Sequence, residues 1–100
     1  MELNLSYIEE NIDQIGIKEA SALLKELIVN SKDPFIRHKA LKIFSSIDNG
    51  KNFKFFEQLF LSDENFNIRL ETGYVLRDKY LRYKRFIPLL EFTLKRVYIF

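Results

Sequence analysis

A chain of 100 residues in which 47% are hydrophobic and 30% charged has the composition of one globular domain, which excludes intrinsic disorder. The absence of cysteine excludes disulfide frameworks, thiolate metal sites and cysteine nucleophiles, and 3 glycines with 2 prolines are too few for the tight turns of a many-stranded sandwich or barrel. The net charge of +2 singles out no partner, but residues 1–50 carry 8 acids and 6 bases while residues 51–100 carry 6 acids and 10 bases, so the second half is the basic one.

Helical periodicity begins at once. Ser6 followed three residues later by Glu9 fits a capping box, Tyr7, Ile8, Ile12 and Ile15 recur on one face, and Gly16 is a stop signal. A second helix is predicted from Ile17 to about Val29, with Ala20, Leu23, Leu24, Leu27 and Ile28 inward. Asp33-Pro34 then marks the sharpest boundary, because Asp accepts N-terminal hydrogen bonds and Pro at the first helical position gives up no useful N–H. The third helix runs to about Ile47 with Ile36, Ala40, Ile43, Phe44 and Ile47 inward, and Asp48-Asn49-Gly50 is a turn. The fourth carries Phe53, Phe55, Phe56, Leu59 and Phe60; the fifth starts near Asn65 and carries Ile68, Val75, Leu76 and Tyr80; the sixth spans Phe86 to about Tyr98. No segment alternates with period two, so the predicted class is all-α. The opening MELNLSYIEE has neither a basic nor an apolar leader region, and no apolar run reaches the roughly 18–20 residues of a membrane span, so the expected setting is cytoplasmic with no membrane partner.

The chain repeats itself at a shift of 32 residues: Leu23, Phe55 and Ile87 fall on one another, as do Ile28, Phe60 and Phe92. Asp33 falls on Asn65, Ile36 on Ile68, Arg37 on Arg69, Ala40 on Thr72, Ile43 on Val75 and Phe44 on Leu76. Apolar, small, capping and basic positions each keep their kind, and two helices per period of roughly 30–40 residues is the signature of an α-solenoid.

The stretches LLKELIVNSKDPFIRHKALKIFSSI (23–47) and FFEQLFLSDENFNIRLETGYVL (55–76) resemble HEAT-like repeats: an apolar first helix, a short turn with Asp, Ile followed by Arg, then a small residue among apolar ones. The second copy departs from that pattern with Asn65 for the Asp and Thr72-Gly73 where Ala40-Leu41 stand. The resemblance implies a right-handed α-solenoid of about six helices, with an N-terminal half repeat at 6–16, repeats at 17–48 and 49–81, and a C-terminal half repeat at 84–100. It also implies that Asp33 and Asn65 cap the second helices, that Ile36 and Ile68 seat them, and that Arg37 and Arg69 reach polar groups of a neighbouring repeat. A cation is misplaced in a helix's first turn by a few tenths of a kcal/mol or more, so a compensating partner is required.

Candidate chemistry is sparse. His38 is the only histidine, and without cysteine a metal site is not expected; no His-Glu dipeptide is present, so the iron-binding HEAT-like enzymes are not a match. The carboxylate pairs Glu9-Glu10 and Asp63-Glu64 sit at helix starts, where capping accounts for them. No phosphate loop or nucleophile motif occurs, so neither catalysis nor a cofactor is expected. Phe44, Phe55, Phe56, Phe60 and Phe92 are assigned to the core, Phe35, Phe53 and Phe66 to partly exposed helix starts, and Gly73 to a close helix approach.

Two surfaces stand out. In HEAT-like arrays the second helices line the concave face, which the resemblance places at His38, Lys39, Lys42, Leu70, Tyr74 and Arg77; apolar and aromatic area among charges suits a protein partner. The segment RDKYLRYKRF interleaves Arg77, Lys79, Arg82, Lys84 and Arg85 with Tyr80 and Tyr83, as nucleic-acid binders do, although Tyr80 also falls on the apolar stripe. The apolar residues Val97, Tyr98, Ile99 and Phe100 point to fold-back, to pairing with a second copy through the solenoid end, or to a continuing array. The expected function is a non-enzymatic scaffold that binds protein through the concave face, with nucleic-acid binding through 77–85 as the alternative.

Overall fold

The computed structural model describes residues 4–80, so the sixth helix at 86–98, the half repeat at 84–100, Phe92, Arg82, Tyr83, Lys84 and Arg85 lie outside the described residues. Every regular element among the described residues is an α-helix: α1 (Leu5–Glu10), α2 (Ile12–Ile15), α3 (Ile17–Asn30), α4 (Pro34–Ile47), α5 (Phe53–Ser62) and α6 (Phe66–Tyr80). The chain divides into two compact units at Asn49/Gly50, within the predicted turn.

In the first unit, α3 and α4 form a hairpin on which α1 and α2 pack. The first predicted helix starts earlier than its capping box and is broken. Asn4, not Ser6, is the N-cap, its side chain accepting from the Tyr7 N–H at 3.2 Å. The break falls at Asn11, whose amide Nδ2 donates to the Tyr7 carbonyl at 2.8 Å and whose main-chain N–H bonds there as well. An asparagine side chain competes in this way with the helical ladder and ends it. With this start Leu5 and Ile8 face inward, and Tyr7, expected on the stripe, is 58% exposed. Gly16 separates α2 from α3 at φ +92°, a backbone region that a side chain disfavours, and there the sequence supplies glycine.

Ala20, Leu24, Leu27 and Ile28 of α3 meet Ala40, Leu41 and Phe44 of α4 in the core. Leu41 replaces Ile36, Ile43 and Ile47 as the more deeply buried residue, since all three isoleucines are half-buried. The Nζ of Lys25 lies 5.6 Å above the Phe44 ring.

In the second unit α5 packs on α6. Phe53, expected to be partly exposed, is buried, while Phe55, expected inward, is half-buried with its ring edge-on to Phe56 at 6.0 Å. The reason is the rotation of α5: Phe53, Phe56 and Phe60 share one face at helical spacing and Phe55 lies to its side. Thr72 is fully buried among Ile68, Val75 and Leu76, and its hydroxyl donates to the Ile68 carbonyl at 2.6 Å, so the polar atom is satisfied within its own helix.

The two hairpins share a three-part turn device. Asp33 accepts from the Phe35 N–H at 2.9 Å and Asn65 from the Ile68 N–H at 3.1 Å, each capping its second helix. Two residues before each cap, Ser31 Oγ accepts from the Asp33 N–H at 3.2 Å and Asp63 Oδ1 from the Asn65 N–H at 2.9 Å, at positions 32 residues apart. The arginines complete it. Arg37 Nε donates to the Ile28 carbonyl at 2.5 Å and Arg69 Nη1 to the Asp63 carbonyl at 2.6 Å. These two carbonyls belong to the same hairpin as the arginine that bonds each of them. A carbonyl at the end of the preceding helix is an orphan acceptor carrying partial negative charge, so the guanidinium regains there what it loses beside the N-terminus of its own helix.

Candidate functional site

The six residues expected on the concave face divide between the units: His38, Lys39 and Lys42 on α4, and Leu70, Tyr74 and Arg77 on α6. On α4, Lys39 and Lys42 are exposed and His38 is half-buried. The neighbouring hydroxyls turn back on their own helix, Ser45 Oγ donating to the Lys42 carbonyl at 2.9 Å and Ser46 Oγ to the Ile43 carbonyl at 2.6 Å.

The face of α6 is more informative. Ile68, Thr72, Val75 and Leu76 point into the hairpin and are buried. Steps of four residues advance about 40° around a helix, so Phe66, Leu70 and Tyr74 form a continuous stripe that runs from the edge of the buried face, beside Gly73, to its far side at Tyr74. Phe66 and Tyr74 are each 44% exposed and Leu70 is half-buried. The helix is therefore apolar on two sides, one of which faces solvent. Sequence reading picked out Leu70 and Tyr74 but not the alignment of Phe66 with them, although the i, i+4, i+8 spacing carries it.

Each aromatic of the stripe has an arginine three residues on. The Arg77 guanidinium carbon lies 5.0 Å from the Tyr74 ring centroid, and that of Arg69 lies 5.9 Å from the Phe66 centroid. Both distances are within the range of a cation–π contact. Arg77 Nε also donates to Asp78 Oδ1 at 2.9 Å, and this bond holds the guanidinium pKa above its ordinary value. An exposed ion pair of this kind contributes little to stability, but it orients the plane of the guanidinium.

The basic segment fares differently. Arg77 and Lys79 are exposed, but Tyr80 is fully buried, its ring 5.5 Å from Phe53 and 5.9 Å from Phe56 and its hydroxyl accepting from the Asn52 N–H at 3.2 Å. Tyr80 is a core residue and is not part of a stacking surface. Among the described residues no group of three or more His, Cys, Asp or Glu could hold a metal ion, and no helix is long and apolar enough to cross a membrane. Comparison of the chain with protein-family models, with curated proteins and with solved structures found no match.

Proposed function

We propose that the chain is a non-enzymatic HEAT-like repeat protein, a right-handed solenoid with a 32-residue period, which binds a protein partner through its concave face. The observation that carries the reading is the Phe66–Leu70–Tyr74 stripe, apolar and aromatic area held in solvent on the second helix of a hairpin. Tyrosine and arginine are the residues over-represented where binding energy concentrates, and here Tyr74 and Arg77 stand together. The recurrence of the cap and the Ile-Arg pair 32 residues apart, with each arginine bonded to a carbonyl of its own hairpin although not to the equivalent one, supports the repeat assignment. On this reading His38, Lys39 and Lys42 of α4 contribute the charged part of the surface.

A pull-down from native lysate, with and without nuclease, tests it. The wild type is compared with a Lys42→Glu/Tyr74→Ala/Arg77→Glu variant, in which all three positions are exposed and the fold is expected to survive. A nuclease-resistant protein partner that the variant loses is the expected result, with an affinity drop of about 30-fold or more if Tyr74 behaves as an interface anchor. Recovery of nucleic acid alone, released by nuclease and by salt, contradicts the reading and favours the basic segment of Arg77, Lys79, Arg82, Tyr83, Lys84 and Arg85.

A further inference from the structure

We infer that the α6 stripe is built for an acidic amphipathic helix, with carboxylates two turns apart placed against Arg69 and Arg77; the inference rests on the protein-binding reading above. Phe66 with Arg69 and Tyr74 with Arg77 are two copies of one arrangement, an aromatic ring with a guanidinium over it three residues on. The copies are eight residues apart, about 12 Å along the helix axis, with Leu70 between them. A straight partner helix repeats its side chains at the same interval, so one apolar residue can meet Leu70 while an acidic residue on either side meets each guanidinium.

Both guanidiniums are held before any partner arrives. Arg69 Nη1 is bonded to the Asp63 carbonyl and Arg77 Nε to Asp78, and the guanidinium carbons lie 5.9 and 5.0 Å from the Phe66 and Tyr74 ring centroids. A planar guanidinium fixed in this way is pre-organised for bidentate recognition of a carboxylate. The charge on α6 itself has the matching sign: Arg69, Arg77 and Lys79 stand against two carboxylates, Glu71 and Asp78.

The same geometry disfavours nucleic acid. Stacking a base needs an open aromatic face, yet both exposed rings of α6 already carry a guanidinium on one face and Tyr80 is buried. Leu70, between the two rings, offers aliphatic area that suits a side chain better than a base.

Isothermal titration of the full chain with a defined probe tests the inference. The probe is an alanine-rich helical peptide of about 18 residues with leucine at helical spacing and glutamates eight residues apart, long enough to hold its helix. Its controls are the same peptide with glutamine for glutamate and a single-stranded DNA of similar length. The expected result is that the glutamate peptide binds at least about tenfold more tightly than the glutamine peptide, and that Arg77→Gln removes most of this preference while Lys79→Gln does not. Circular dichroism of both variants checks their fold. Equal affinity for the two peptides, or binding of neither, overturns the inference, and the nuclease-resistant pull-down then decides separately whether the protein-binding reading stands. Tighter binding of DNA, or equal losses in Arg77→Gln and Lys79→Gln, also overturns it, because either result means diffuse electrostatics in place of paired recognition sites.

Discussion

Tyr80→Ala is expected to lower the melting temperature of the helical signal by more than about 10 °C. The side chain is fully buried at the end of α6, between Phe53 and Phe56, and truncating a buried aromatic of this size costs about 3–5 kcal/mol. That is a large fraction of the roughly 5–15 kcal/mol that holds a small domain together. Tyr80→Phe separates the two parts of its role. It keeps the ring and removes the hydroxyl that accepts from the Asn52 N–H, so a loss of about 1 kcal/mol is expected. A melting temperature within about 2 °C of wild type for the alanine variant contradicts the buried position and returns Tyr80 to the basic surface.

Gly73→Val is expected to destabilise the second unit by about 3 kcal/mol, and Gly73→Ala by about 1 kcal/mol, despite the better helix propensity of both replacements. In a helix alanine gains about 1 kcal/mol over glycine. Against this, a Cβ at position 73 stands 2.9 Å from Phe60 Cε1 and 3.5 Å from Cδ1, and that ring is only 3% exposed. Overfilling a packed site costs about 1–3 kcal/mol, and valine adds two further methyl groups to the clash. Chemical denaturation of Gly73→Ala, Phe60→Leu and the double variant measures the coupling, with the double variant expected to be more stable than the sum of its parts. A Gly73→Ala protein more stable than wild type means that the Phe60 ring gives way, and it removes the close-approach explanation for the glycine.

Most helices were legible because their signals are local. Asp33-Pro34 stops one helix and starts the next through groups within two residues of each other, and Asn65 caps α6 for the same reason. What the sequence hid depends on which backbone group or helix face a side chain meets. The arginine partners are main-chain carbonyls, at Ile28 and Asp63, and a carbonyl has no residue type by which to recognise it. The burial of Phe53 and the half-exposure of Phe55 follow from a rotation of α5 that two adjacent phenylalanines leave open. Asn11 did carry a readable signal, a side chain suited to ending a helix, but the flanking isoleucines outweighed it. Of the candidate surface, the exposure of Tyr74, Arg77, Lys39 and Lys42 followed from their distance from the apolar stripe. The pairing of each exposed aromatic on α6 with the arginine one turn on was equally present in the spacing, and it acquires meaning once Phe66 and Tyr74 are seen on the same solvent-facing side.

Photo-crosslinking from position 74 puts the proposed protein-binding role of α6 to the most direct test. Tyr74 is replaced in cells by the photoreactive benzoylphenylalanine, which preserves an exposed aromatic ring, and Lys54, exposed on α5, is replaced in the same way as a control. A discrete protein adduct from position 74, absent from position 54 and lost when Arg77→Glu is added, is the predicted result. Adducts of equal yield from both positions, or an adduct from position 74 that nuclease removes, contradict a protein-binding stripe on α6.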